Sequence, residues 1–137
     1  MNSTPDGALA TLRALAHDAN TRTYAAGERI FRSGEPGDCL YGIVSGSVSV
    51  DWDEGPMHET LGPGHCFGIG ALVDPEHRRY GNATALTDTE TLVMDRNQFL
   101  FALQELPVFG LEMLEDLEGR LLNLKHRLEA PGEQEPG

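Results

Sequence analysis

Cysteine is scarce in this sequence: Cys39 and Cys66 are the only two. They stand far apart, with no Cys-x-x-Cys or His-x-x-x-His spacing beside them, so neither a disulfide framework nor a zinc site is expected. They read as core thiols, and a reactive or metal-bound pair would need the fold to bring them together near His65 or His77. The chain has no run of roughly 18 apolar residues and no charged, apolar, small-residue leader. Neither a membrane span nor a signal peptide is expected, and the cytoplasm is the expected location. Basic residues are few as well: 10 Lys and Arg stand against 22 Asp and Glu, a formal net charge of −12. Such a chain repels nucleic acid and anionic lipid at long range, so it is not expected to bind DNA or a membrane directly. Metal-dependent chemistry of the kind seen in β-rolls needs a His-x-His pair with a following acid, and His58 and His65 do not supply it. Haem ligation would rest on His77 alone. No nucleophile stands beside a general base, so an enzyme is not expected.

What is present fits one domain. A chain of 137 residues buries about two thirds of its unfolded surface in a single core, and a second full domain does not fit. Thr4, Pro5 and Asp6 offer a cap, a proline at the first helical position and an acid in the first turn. With Leu9, Leu12, Leu15, Ala16 and Ala19 on one face, a short amphipathic helix is predicted over about 6–18, with His17 at its negative end. From Arg22 to Asp95 short β-prone runs alternate with turn clusters, among them Gly34 to Asp38, Ser45-Gly46, Asp53 to Pro56, Gly62 to Gly64 and Asp74-Pro75. That spacing, roughly 8 to 12 residues, belongs to antiparallel sandwiches and barrels. Val48, Val50 and Trp52 alternate with Ser47, Ser49 and Asp51, predicting a strand with one buried and one wet face. Ala83, Ala85 and Thr87 do the same, as do Leu92 and Met94. The fold class predicted is mainly β, a two-sheet roll with flanking helices.

At Asp95 the period returns to 3.6, and Asp95 is placed to cap a helix from Arg96 to Glu105 that Pro107 ends. Beyond it Leu114, Leu117, Leu121, Leu124 and Leu128 recur at alternating gaps of three and four. This is a short heptad seam on a helix over about 108–129, and it predicts a homodimer. The competing reading folds the helix back onto its own β domain, with Met113 and Leu122 widening the stripe. In a parallel pair with Leu114 at position a, Arg120 and Lys125 would face each other with like charge. Residues 130–137, rich in Pro and Gly, are predicted to be a disordered tail.

The stretch from Phe67 to Ala85 carries the chemistry. Gly68 and Gly70 remove side chains so that a ligand or another segment can approach bare amides. If Gly70 to Val73 form a helical turn, its free N–H groups favour an anion, and Arg78 or Arg79 can close over it. Alternatively, Gly-x-Gly is turn chemistry and the two arginines neutralise Asp74 and Glu76.

These residues resemble a known family, the cyclic nucleotide-binding domain, and within it the sensor half of CRP/FNR-type bacterial regulators. The resemblance runs from about Thr21 to Leu128. It rests on Ala26-Gly27-Glu28 through Gly37-Asp38, on Leu40 to Val48 with its Ser45-Gly46 turn, and on Leu61-Gly62-Pro63-Gly64 leading into Phe67-Gly68. It implies a double-stranded β-helix, or jelly-roll β-roll, over 22–95, with an N-terminal helix, C-terminal helices over 96–129 and a C-terminal dimerisation helix. The whole domain is expected over 1–129.

The family's phosphate-binding cassette reads Gly-Glu-Leu-Ala-Leu, a short loop, then an arginine followed by a small residue. On that pattern Gly68, Ile69, Gly70, Ala71 and Leu72 form the cassette, Arg79 grips the cyclic phosphate and Arg78 is the fallback. Ile69 stands where a glutamate takes the ribose hydroxyl, and Tyr80 stands where a small residue lines the phosphate. A carboxylate–hydroxyl bond contributes about 1.5–3 kcal/mol, so Ile69 is expected to lower affinity by roughly one to two decades. The resemblance therefore implies a regulatory sensor domain with a degenerate cassette that binds cAMP, cGMP or another small anion weakly. Family members continue into a helix-turn-helix, whereas this sequence runs only to Gly137. The expectation is a module without its own DNA-binding domain, acting through a protein effector. The alternative is a vestigial pocket on a self-association or protein-interaction module.

Overall fold

The computed structural model describes residues 6–15, 20–52 and 57–129. The end of the first predicted helix with His17, the Asp53 to Pro56 turn and the 130–137 tail lie outside them.

Strands joined by short polar turns pair antiparallel, and in this chain they form two sheets of four. One sheet orders β1 (Thr21–Tyr24), β8 (Thr89–Asp95), β3 (Cys39–Ser45) and β6 (Cys66–Phe67) as β1-β8-β3-β6. The other orders β2 (Arg29–Phe31), β7 (Asn82–Ala85), β4 (Val48–Asp51) and β5 (His58–Leu61) as β2-β7-β4-β5. Among the described residues four helices accompany the roll: α1 (Asp6–Leu15), the single turn α2 (Gly70–Val73), α3 (Arg96–Glu105) and α4 (Val108–Leu128). The predicted β-roll with flanking helices is therefore the observed architecture.

The core divides into two. Inside the roll Phe31, Tyr41, Ile43, Val48, Leu61, Phe67, Ala83 and Val93 pack together, and Tyr41 stacks on Phe67 at 5.0 Å between centroids. Outside the first sheet, Leu9 and Leu12 of α1, Leu40, Leu92, Met94, Phe109 and Met113 form a second core beneath the helices. Cys39 lies in the first core and Cys66 in the second, both buried and free.

This two-layer arrangement corrects one expectation. β8 has no wet face in its middle, because Thr91 and Val93 are buried as well as Leu92 and Met94. A helix layer on one side and the roll on the other cover both faces. Thr87 lies beyond the end of β7 and is exposed, and Trp52 at the end of β4 is 39% exposed.

Asp95 caps α3 as its position predicts. Its carboxylate accepts from Gln98 N at 2.8 Å while the Gln98 side chain accepts from Asp95 N at 2.8 Å, a reciprocal capping box.

α4 has two faces. Phe109, Met113, Asp116 and Arg120 turn toward the roll, with Phe109 and Met113 fully buried. Leu114, Leu121 and Leu128 are 62%, 58% and 67% exposed, whereas Leu117 and Leu124 are half-buried. The heptad seam is thus split, one edge free and the other leaning on its own domain. Arg120 does not face the seam and is not opposed to Lys125. It turns inward to Glu59, and Lys125 pairs with Glu129 at 3.0 Å.

Candidate ligand-binding site

The cassette begins where β6 ends. Gly68 adopts φ +87°, a left-handed conformation that a side chain would strain, and this turns the chain sharply into α2. Gly70 to Val73 form the predicted helical turn. Its first amides have no acceptor within the helix. The Leu72 N–H is engaged by the Ile69 carbonyl at 2.9 Å, so those of Gly70 and Ala71 are the ones a ligand can use. Ile69 itself sits at the helix start and leans against the outer core. Ala71 and Leu72 are buried.

Arg79 is held from both sides. Its N–H donates to the Glu35 carbonyl at 2.8 Å and its carbonyl accepts from Gly34 N at 2.9 Å, so the β2–β3 turn clamps the cassette loop. The side chain is buried, with 5% of the residue exposed. Its Nη1 donates to the Gly68 carbonyl at 2.8 Å and Nη2 approaches Cys39 Sγ at 3.5 Å. The guanidinium lies 4.3 Å from the centre of the Phe31 ring and 5.6 Å from that of Tyr41. Glycines make the space: a Cβ on Gly37 would overlap this guanidinium, and one on Gly68 would come within 2.9 Å of Nη1. Among the described residues no carboxylate is in ion-pair contact with Arg79.

Arg78 behaves differently. It is exposed, donates from Nη1 to the Gly34 carbonyl at 2.8 Å, and stands 4.0 Å from the Glu76 carboxylate. Charge neutralisation within the loop thus accounts for Arg78 and not for Arg79. Asp74 accepts from Glu76 N, from Arg78 N and from the Tyr80 hydroxyl at 3.0 Å. The Arg78 amide foremost, then the Tyr80 hydroxyl, hold its carboxyl below the usual range, and the same bond raises the Tyr80 phenol. So tethered, the Tyr80 ring lies over Gly70, whose Cβ would meet it at 2.6 Å. His77 adopts φ 55° and its Nδ1 donates to the Ala71 carbonyl at 3.0 Å, bracing the loop against α2.

These residues line one cleft of about 120 Å³. The cassette from Gly68 to Ala71, with Arg79, Tyr80 and Gly81, forms one wall. Val50 and Trp52 of β4 with Phe31 form a second, and Leu117 and Arg120 of α4 form a third. Pockets for small molecules usually exceed about 300 Å³, so a ligand of nucleotide size requires the walls to part.

The α4 wall is fixed by a buried ionic strap. Arg120 donates from Nε and Nη2 to both oxygens of Glu59, at 3.1 and 2.9 Å, and from Nη1 to the Cys66 carbonyl at 2.6 Å. Asp116, one turn earlier, meets His65 Nδ1 at 2.7 Å and the Cys66 amide at 3.3 Å. Burial first, and the Asp116 charge second, push the Cys66 thiol up to about 12. Glu59, Arg120, Gly37 and Cys39 were not among the expected site residues. The signal for Arg120 is a second stripe on α4, Phe109, Met113, Asp116 and Arg120, beside the leucines. Glu59 alternates with Leu61 on the inward face of β5. Among the described residues no group of three or more His, Cys, Asp or Glu side chains is placed to hold a metal ion. No helix among them is long and apolar enough to cross a membrane.

Comparison with known proteins identifies the family to which this fold belongs. The sequence model of the cyclic nucleotide-binding domain matches residues 21–105. A CRP-like cAMP-activated global transcriptional regulator of Mycobacterium tuberculosis is 30% identical over 121 residues, covering 85% of this chain and 54% of the relative. The cyclic AMP receptor protein of Thermus thermophilus is 36% identical over 104 residues, covering 73% and 48%. The chain therefore spans about half the length of the curated relatives it matches. A structure solved in work on a cyclic-GMP-dependent signalling pathway that regulates bacterial phytopathogenesis superimposes with a TM-score of 0.71 at 27% identity, covering 84% of this chain and 91% of that one.

Proposed function

This chain belongs to the cyclic nucleotide-binding domain family, and from that premise we propose that it is a regulatory sensor domain whose cleft takes a cyclic nucleotide with Arg79 as the phosphate ligand. The observation that carries the reading is the state of Arg79. A buried guanidinium with, among the described residues, a carbonyl, a thiol and two ring faces around it and no carboxylate in contact is a charge waiting for an anion. The Gly70 and Ala71 amides stand in the same wall, and the relatives named as cAMP-responsive regulators make a cyclic nucleotide the anion of choice. Binding is weak. Ile69 offers the ribose no acceptor, the Tyr80 ring lies over Gly70, and the cleft has to widen.

An occupied cleft acts on α4, since Leu117 and Arg120 line it. The outer edge of that helix, Leu114, Leu121 and Leu128, joins two copies, so that ligand in the cleft is sensed at a homodimer interface.

Titration calorimetry with cAMP and cGMP tests the phosphate ligand. Arg79→Ala should weaken binding by at least about 2 kcal/mol, some 30-fold, as for a charge-assisted pair. Arg78→Ala should change it little, because Arg78 points to Gly34 and Glu76. Ile69→Glu should tighten it by restoring the hydroxyl acceptor. If neither wild type nor Ile69→Glu binds either nucleotide at millimolar concentration, the cleft is vestigial and the chain serves as an interaction module.

A further inference from the structure

Asp74 ties the loop between α2 and β7 with both oxygens of one carboxylate. Oδ2 accepts from the Glu76 and Arg78 amides, at 3.0 and 3.1 Å, and fixes the loop backbone. Oδ1 accepts from the Tyr80 hydroxyl at 3.0 Å and fixes a ring. The Arg78 amide foremost holds the Asp74 carboxyl below its usual range, so the acceptor stays charged at any ordinary working pH. The backbone of Tyr80 is pinned: its neighbour Arg79 is bonded through N–H and carbonyl to Glu35 and Gly34, and Ser33 Oγ donates to the Tyr80 carbonyl at 3.4 Å. What can move is the ring, by rotation about the side-chain torsions. The residue is 56% exposed, and among the described residues no other ring is stacked on it or meets its edge. The bond to Asp74 is therefore the tether that keeps the ring against Gly70.

Tyr80 and Gly70 both line the cleft of about 120 Å³, so the tethered ring takes up room on the cassette side. The facing walls are less free to part. Val50 lies inside the β4 ladder, and α4 is strapped through Arg120 to Glu59 and the Cys66 carbonyl. Swinging one exposed ring outward enlarges the cleft and breaks neither. Resting on the reading of this cleft as a cyclic nucleotide site, we infer that the Tyr80–Asp74 hydrogen bond is an autoinhibitory latch: the latched ring keeps the cassette side closed, and only unlatched molecules admit the ligand. Affinity is then governed in part by Asp74, which does not itself line the cleft. The apparent affinity falls in proportion to the open fraction. Such a gate has a kinetic signature that a lost ligand contact lacks. Association is slowed by the closed fraction, whereas dissociation from the open, occupied site is not.

Tyr80→Phe tests the bond and Tyr80→Ala the ring. In the ligand-free chain the Gly70 Hα standing where a Cβ would meet Tyr80 carries a ring-current shift in proton NMR. Tyr80→Ala should abolish that shift, and Tyr80→Phe, which keeps a ring but has no hydroxyl to tie to Asp74, should lose at least about half of it, as expected for a ring released into its other rotamers. Stopped-flow mixing with cAMP and with cGMP can be followed by the fluorescence of Trp52, the one tryptophan of the chain and part of the cleft wall. Tyr80→Phe should associate at least about threefold faster than wild type, with dissociation unchanged within about 1.5-fold. Binding that appears only in the two variants supports the latch as well. A Gly70 shift fully kept in Tyr80→Phe overturns the latch without any ligand. Where nucleotide binds, an association rate that does not rise in Tyr80→Phe overturns the latch and leaves the ligand site standing. Faster dissociation from Tyr80→Phe does the same, because it makes the hydroxyl a ligand contact. Binding by none of the three proteins overturns the ligand-site reading, and the gate with it.

Discussion

Replacing Arg120 with methionine should unfold the domain more readily than any surface change on α4. The substitution keeps the length and apolar stem of the side chain but strips both oxygens of Glu59 of the Arg120 donors. The Glu59 side chain is 8% exposed and that of Arg120 13%, so water reaches the stranded carboxylate poorly. Breaking a buried ion pair by removing one partner costs about 3–5 kcal/mol, and the remaining exposure of Arg120 places this case near the lower end, about 3 kcal/mol. Against a total stability of about 5–15 kcal/mol that is a large fraction. Urea denaturation followed by circular dichroism should show the midpoint falling by roughly 1.5 M with an unchanged slope, for a slope of about 2 kcal/mol per molar. Adding Glu59→Leu removes the stranded charge, and the double variant should return to within about 1 kcal/mol of wild type. The two changes are then strongly non-additive. A loss below about 1 kcal/mol in Arg120→Met, or simple addition of the two single effects, would refute the strap.

The free edge of α4 makes a separate prediction. Leu114→Lys with Leu121→Lys should leave monomer stability within about 0.5 kcal/mol per site and convert a dimer to a monomer by light scattering. A wild type that is already monomeric at micromolar concentration would limit the leucine stripe to its own domain. Cys66, buried and with its thiol pushed up to about 12, carries almost no thiolate at pH 8 and should resist iodoacetamide until urea unfolds the chain. Rapid labelling of native Cys66 would contradict its placement under α4.

Much of the roll could be read from local chemistry. The turn clusters between Arg22 and Asp95, the cap at Asp95 and the helical turn at Gly70 are set by residues within a few positions of one another. Gly34 to Asp38 was readable as a turn, but not as the clamp on Arg79, because that contact joins segments distant in sequence. The same limit hid the strap. Glu59 and Arg120 are 61 residues apart, and a heptad count on α4 attends to the leucines and leaves the arginine's direction undetermined. β8 looked half-wet because alternation describes a sheet with one covered face, and only the packing of α1, α3 and α4 on its outer side buries the other. Arg79 and Arg78 are adjacent and chemically identical in the sequence. Their separation into a buried and an exposed role depends on Gly37 and Gly68 leaving room for one guanidinium.

The measurement that bears most directly on the central claim is electron density for the protein crystallised with saturating cyclic nucleotide. A cyclic phosphate should lie within hydrogen-bond distance of Arg79 and of the Gly70 and Ala71 amides, with the Tyr80 ring displaced from Gly70 and the cleft enlarged. An unchanged cleft, with Arg79 still turned onto Phe31 and the Gly68 carbonyl and the nucleotide absent or bound elsewhere, would contradict it.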